Sequence, residues 1–169
     1  MPSTFEEEHR RELLILDTGP IRELVLFHAV DQLQFKGLRG NLKWIVKQDS
    51  YIRCTEFIGS FHRKMTSASV VAELNCWIRE TDRTGRDRLW NQVSDEFREM
   101  RMDEEVVKLL EMDIRSVTAF GPVDVSVLKL AQRYEALSPL VLTIDGALQG
   151  ACEKAAVRVR HLLEINWLA

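Results

Sequence analysis

The sequence predicts an α/β fold, a three-layer α/β/α sandwich around a central parallel sheet, and three observations carry that prediction. Leu13-Leu14-Ile15-Leu16 is an unbroken aliphatic run that stops at Asp17 and the turn formers Gly19-Pro20, the pattern of a strand buried on both faces. Residues 139–144 repeat it and stop at Asp145-Gly146. Between the two lie segments whose apolar residues recur at spacings of three and four, the period of helices laid against a sheet.

Size and composition agree with this. A chain of 169 residues with 46% hydrophobic content has enough material for one domain with a full core. A net charge of −3 and a pI near 5.9 exclude the globally basic surface that holds long duplexes without sequence preference. Cys54, Cys76 and Cys152 are widely spaced and form no CxxC, so neither a disulfide framework nor a zinc knot is expected, and a reducing, cytoplasmic setting is. The N-terminus is charged instead of apolar, and no apolar run reaches the ~18 residues of a membrane span, so no leader and no membrane are expected.

In chain order, residues 1–12 read as a charged lead-in, with Glu6 to Arg10 and Glu7 to Arg11 at i,i+4 spacing, and residues 13–169 as the domain. Residues 21–33 predict an amphipathic helix through Leu24, Val25, Phe27, His28 and Leu33. Gly37 and Gly40 break the chain before an expected short edge strand or hairpin arm over 42–46. Tyr51, Cys54, Phe57, Ile58 and Phe61 predict a helix over 50–63, whose exit carries Arg63 and Lys64. Residues 65–68 form a short strand or turn, with Ser67 or Ser69 capping the next helix. That helix has Val70, Leu74, Trp77 and Ile78 as its stripe and Glu73 at the stripe's edge, where a carboxylate is costly unless something positive meets it.

Residues 81–85 read as a loop and 86–97 as a charged helix, with Arg83, Arg86 and Arg88 the densest basic cluster. Residues 98–102 are expected to be a strand. Asp103 is expected to cap a helix to about Phe120, with Val106, Leu110, Ile114 and Val117 on one side, ended by Gly121-Pro122. Asp124 opens another helix with Val127, Leu130, Ala131 and Tyr134 facing inward. After Asp145 comes a helix through Ala156, then a last strand over 157–161.

Asp17 and Asp145 end strands, while Glu73 and Asp124 lie near the starts of helices, and in a parallel sheet these places share one edge. Each acid alone is equally well explained as a cap or an ion-pair partner. Four together repel by about 1 to 4 kcal/mol per pair, and cations relieve that. Oxygen donors with no nearby His or Cys select Mg2+ or Mn2+ over Zn2+. The chemistry suited to such a site is metal-assisted hydrolysis of a phosphodiester. Thr18 and Thr143 stand where hydroxyls orient ligands or water, or bond to backbone.

The order of these pieces resembles the PIN-domain family. The matching segments are Leu-Asp-Thr-Gly-Pro-Ile at 16–21, Ala-Glu-Leu at 72–74, Gly-Pro-Val-Asp-Val-Ser at 121–126 and Leu-Thr-Ile-Asp at 142–145, across residues 13–163. The resemblance implies a PIN-like three-layer fold and cleavage of single-stranded RNA with Mg2+ or Mn2+. It also implies a catalytic and metal-binding quartet of Asp17, Glu73, Asp124 and Asp145. Ser126 stands where many members carry a further acid, and with Thr18 and Thr143 completes the hydroxyls expected around the quartet. Many small bacterial members are toxins held inactive by an antitoxin peptide, commonly as dimers, so the implied partners are RNA, an antitoxin and a second copy. Arg83 and Arg86, with Arg63 and Lys64, are the expected RNA contacts.

Three other readings compete. A PIN-like binding or scaffold protein shares the fold without turnover. An aspartic protease shares Leu-Asp-Thr-Gly, but needs a β-rich chain and a second such turn or a dimer. A phosphatase of the haloacid-dehalogenase type needs a second Asp where Gly19 stands.

Overall fold

The computed structural model describes residues 12–31, 48–79 and 83–165. The aliphatic run forms β1 (Leu13–Leu16), followed by helix α1 (Thr18–Asp31). Helix α2 (Gln48–Ser60) leads into β2 (Arg63–Ser67), α3 (Ala68–Arg79), α4 (Arg83–Met100) and β3 (Met102–Glu105). Then come α5 (Ile114–Phe120), α6 (Pro122–Arg133), β4 (Leu140–Thr143), α7 (Gly146–Lys154), β5 (Arg158–His161) and α8 (Leu162–Ile165).

The strands make one parallel sheet in the order β3-β2-β1-β4-β5, flanked by helices as a three-layer α/β/α arrangement. From β1 the chain winds outward through β2 to β3, then returns to place β4 on the other side of β1. The winding therefore reverses between β1 and β4. In open α/β sheets the crevice at the carboxyl ends of two such strands is where ligands sit. Pairing of Leu16 with Leu142, Ser67 with Glu105 and Thr143 with His161 puts the carboxyl ends of all five strands along one edge.

Burial explains why these segments fold as they do. Every residue of β1 is wholly buried, and Val141, Leu142 and Thr143 of β4 likewise, as central strands require. Helix α1 differs from the amphipathic helix expected at 21–33. It starts at Thr18, and Ile21, Leu24, Val25, Leu26 and Phe27 are all buried. It contacts α2, α3, α4 and β4, and over residues 18–27 these neighbours bury it around most of its circumference, Glu23 included. Among the described residues no helix is long and apolar enough to cross a membrane.

Gly19 is required by packing. A Cβ built there would lie 2.2 Å from Cγ1 and 2.8 Å from Cδ1 of Ile144, so the first turn of α1 crosses the segment after β4 without room for a methyl. Gly19→Ala is expected to cost about 1 to 3 kcal/mol of stability in urea denaturation, and the loss should shrink in an Ile144→Ala background, where the colliding atoms are gone.

The largest correction concerns residues 98–120. Helix α4 continues to Met100, Asp103 lies inside β3 instead of capping a helix, and a 3-10 turn spans Leu109–Glu111 before α5. The cap is Asp113, whose carboxylate accepts the Ser116 N–H at 2.9 Å. Val106, Leu110 and Ile114 repeat at helical spacing but are 63%, 97% and 79% exposed. Their period imitates a buried helix face. β3 is held instead by backbone pairing to β2, and the charges of Asp103 and Glu104 suit the exposed edge of a sheet. The strand read at 65–68 begins earlier, at Arg63, and ends at Ser67, whose hydroxyl accepts the Val70 N–H at 3.3 Å as the expected cap. The expected strand over 42–46 lies outside the described residues, as does the lead-in apart from Glu12, which pairs with Arg158 at 2.6 Å.

Candidate active site

Four elements bring the predicted acids to the carboxyl edge of the sheet. Asp17 follows β1 directly and is 5% exposed. Its backbone N–H donates to the Leu142 carbonyl at 3.1 Å, which ties it to β4 across the crevice. Its carboxylate is held from two sides. Thr18 N–H donates to Oδ1 at 2.7 Å and the Thr143 hydroxyl donates to Oδ2 at 2.8 Å. Thr143 Oγ1 in turn accepts the Asp145 N–H at 2.9 Å, so one hydroxyl aligns two of the acids.

Asp145 caps α7, its Oδ1 accepting the N–H groups of Ala147 at 2.6 Å and Leu148 at 3.1 Å. Glu73, on α3, is exposed, and its Oε2 accepts the Thr18 hydroxyl. Asp124 lies in the first turn of α6, which is launched by Gly121 at φ 87° and Pro122. Among the described residues the half-buried Asp124 carboxylate accepts no hydrogen bond and meets no cation.

The electrostatics follow from that arrangement. Burial pushes the Asp17 carboxyl above the usual range; the bonds from Thr143 and Thr18 oppose this, and Glu73 and Asp145 add to it. Asp124 is raised to about 7, first by burial, then by Asp17, Asp145 and Glu73. The acids therefore feel one another as negative charges. Among the described residues no three His, Cys, Asp or Glu side chains are drawn into a set that could hold a metal ion. The four share a rim without converging on a point. Their donor chemistry, all carboxylate oxygen, fits Mg2+ or Mn2+.

Ser126 is wholly buried. It donates to the Val123 carbonyl at 2.7 Å, and its Oγ lies 2.6 Å from that of Ser67 at the end of β2. The pair clips the start of α6 to the sheet two residues from Asp124. Thr143→Val would leave Asp17 Oδ2 and the Asp145 N–H without this partner. It is expected to cost about 1 to 3 kcal/mol in urea denaturation and to keep Asp17 protonated to higher pH.

Of the basic residues read as RNA contacts, Arg63 and Lys64 lie away from this rim. Arg63 and Lys64 open β2, opposite Leu13 and Leu14, so they lie roughly 13 and 10 Å along the strand from the level of Asp17. Arg63 stacks over the Tyr134 ring at 5.8 Å. Lys64 is buried, donates from Nζ to the Phe61 carbonyl at 2.8 Å, and has its pKa lowered by burial and by Arg101. Arg86 donates to the Arg79 carbonyl at 2.7 Å. Arg83 begins α4, and its side chain lies outside the described residues.

Two residues at the rim carry signals that sequence reading passed over. His161 ends β5 as the acids end β1 and β4; its Nε2 bonds the Ile144 carbonyl at 2.9 Å while Nδ1 accepts the Leu163 N–H at 3.2 Å. Ser67 was legible as a cap and not as the partner of Ser126. A cavity of about 430 Å3 opens at the opposite edge of the sheet, lined by Glu135, Ser138, Ala156 and Arg158 among others, away from the acids. The chain matches no protein-family model and no curated protein.

Proposed function

We propose that this chain is a divalent-metal-dependent endoribonuclease of the PIN-domain type, acting on single-stranded RNA in the cytoplasm. The observation that supports the reading best is the placement of four carboxylates from four separate elements at the switch-point edge of a parallel sheet. Asp17 and Asp124 are raised in pKa by burial and by other acids of the set, and none of the four is neutralised by a Lys or Arg among the described residues. Such a set is costly to the fold, and a divalent cation offsets that cost.

Asp17, Glu73, Asp124 and Asp145 would hold Mg2+ or Mn2+, which supplies Lewis acidity and neutralises charge building up on a phosphodiester. The chain's own groups do the rest. Thr143 and Thr18 fix both oxygens of Asp17. Thr143 also holds the backbone that presents Asp145. Without the cation, burial and the other acids push the Asp124 carboxyl up to about 7, so an ion bound there would displace its proton.

The test is incubation of the purified chain with a mixed RNA pool, with Mn2+ or with chelator, beside Asp17→Asn as control. Cleavage that needs Mn2+ and Asp17 is the expected result. RNA bound but left intact in every arm would replace the nuclease with a PIN-like binding protein.

A further inference from the structure

We propose that His161 is a positioning residue for the acid rim: it heads a one-way chain of hydrogen bonds, through the Ile144–Asp145 peptide and Thr143, that holds Asp145 and Asp17 in register. Its consequence for metal binding rests on the nuclease reading. The chain itself rests on four bonds among described residues.

The tautomer of His161 is dictated by its neighbours. The Leu163 backbone N–H can only donate, and it donates to Nδ1 at 3.2 Å, so Nδ1 presents a lone pair. In a neutral imidazole the proton then sits on Nε2, which lies 2.9 Å from the Ile144 carbonyl, a group that can only accept. To cap α8, His161 would need Nδ1 alone. The Nε2 bond instead reaches 17 residues back in the chain, to the peptide that presents Asp145. Pairing of Thr143 with His161 sets the two strand ends side by side for this contact.

The Ile144 carbonyl and the Asp145 N–H belong to one planar peptide unit and point to opposite sides of it. His161 holds the carbonyl, while Thr143 Oγ1 accepts the N–H at 2.9 Å. The Thr143 hydroxyl then donates to Asp17 Oδ2 at 2.8 Å. Every donor from Leu163 to Thr143 therefore points the same way, and the last acceptor is a carboxylate. Bonds aligned head to tail polarise one another, and an ionised acceptor strengthens the last of them. The Ile144 side chain is in turn packed so closely on Gly19 that a methyl would collide with it. This peptide is thus held at its carbonyl, its N–H and its side chain. Partners standing behind metal ligands typically set metal affinity within about 10- to 100-fold, and His161 stands behind two of the four acids.

The test reads Mn2+ binding to RNA-free protein by loss of the free-ion EPR signal, beside NMR of the His161 ring nitrogens. The wild-type ring, which needs no variant, is expected to show Nε2 protonated and Nδ1 unprotonated. His161→Phe keeps a ring and removes both bonds, and should weaken Mn2+ binding about 10-fold. His161→Gln places an N–H near the position of Nε2 and should recover most of that loss, which a role in packing alone would not produce. In a Thr143→Val background, His161→Phe should cost less than it does alone, because the chain is already cut. A wild-type ring protonated on Nδ1, equal Mn2+ binding by wild type and His161→Phe, or no recovery in His161→Gln would overturn the positioning role and leave the nuclease reading standing. A wild-type protein that neither binds Mn2+ nor cuts RNA would bring down both.

Discussion

Asp124→Asn is expected to reduce divalent-dependent RNA cleavage by roughly 10^3-fold or more while the variant melts no lower than the wild type. The activity loss follows from what a metal contributes to such a reaction, several kcal/mol of charge stabilisation at about 1.4 kcal/mol per decade of rate. An amide of the same shape does not supply the negative oxygen that would hold the ion. The stability expectation follows from the surroundings of the carboxyl. Asp124 has no hydrogen-bond donor to lose among the described residues, and it is the acid most raised by burial and by its neighbours Asp17, Asp145 and Glu73. Neutralising it removes repulsion and removes no bond.

Asp17→Asn should abolish cleavage as well, but is a less clean probe. Both oxygens of Asp17 accept hydrogen bonds, and an amide must turn an NH2 toward either the Thr18 N–H or the Thr143 hydroxyl. Its stability is therefore expected to fall below that of Asp124→Asn. The pair separates catalysis from folding, with activity lost in both and melting temperature lowered in one. Wild-type cleavage rates in both variants would remove these acids from the chemistry.

How far the site could be read from sequence depended on where each residue's constraint is local. Asp17 and Asp145 were legible because an aliphatic run that halts at a carboxylate is a local signal, and the burial of β1 and β4 accounts for it. Asp124 was legible through Gly121-Pro122, which launches α6. Glu73 was placed correctly on its helix, yet it is exposed, because the rim of the crevice and not the core receives it. β3 was not legible. Its formation is decided by the open edge of β2, while Val106, Leu110 and Ile114 carry a helical period into solvent. Arg63 and Lys64, read as the exit of a helix, open β2 at the amino edge of the sheet. The contact between Ser67 and Ser126 joins residues 59 apart in sequence, and no local pattern announces it.

In the absence of divalent ions the protein is expected to lose stability as the pH rises from about 4 to about 8, and Mn2+ should restore it mainly at the upper end. The unfolded Asp124 carboxyl releases its proton around 3.8, the ordinary aspartate value, whereas the folded one holds it to about 7. Across that window the folded state carries the extra proton, so stability falls with rising pH. The contribution is complete below the unfolded pKa and gone above the folded one. Solvent screening of a half-buried carboxyl reduces it to about 2 kcal/mol, and Asp17, also raised, acts in the same direction. A divalent ion at this rim would compete with these protons for the same oxygens, so it is expected to bind weakly near pH 5 and well near pH 8. At a concentration about 100 times its Kd it adds ~2.7 kcal/mol, which for a chain of this size raises Tm by about 5 to 10 °C. Asp124→Asn should flatten the metal-free pH profile and shrink the Mn2+ shift together, because one carboxyl underlies both. A wild-type Tm that is level across this range without metal, and unmoved by Mn2+ near pH 8, would mean that the acids tolerate one another unaided, and a cation would have no part in holding the rim.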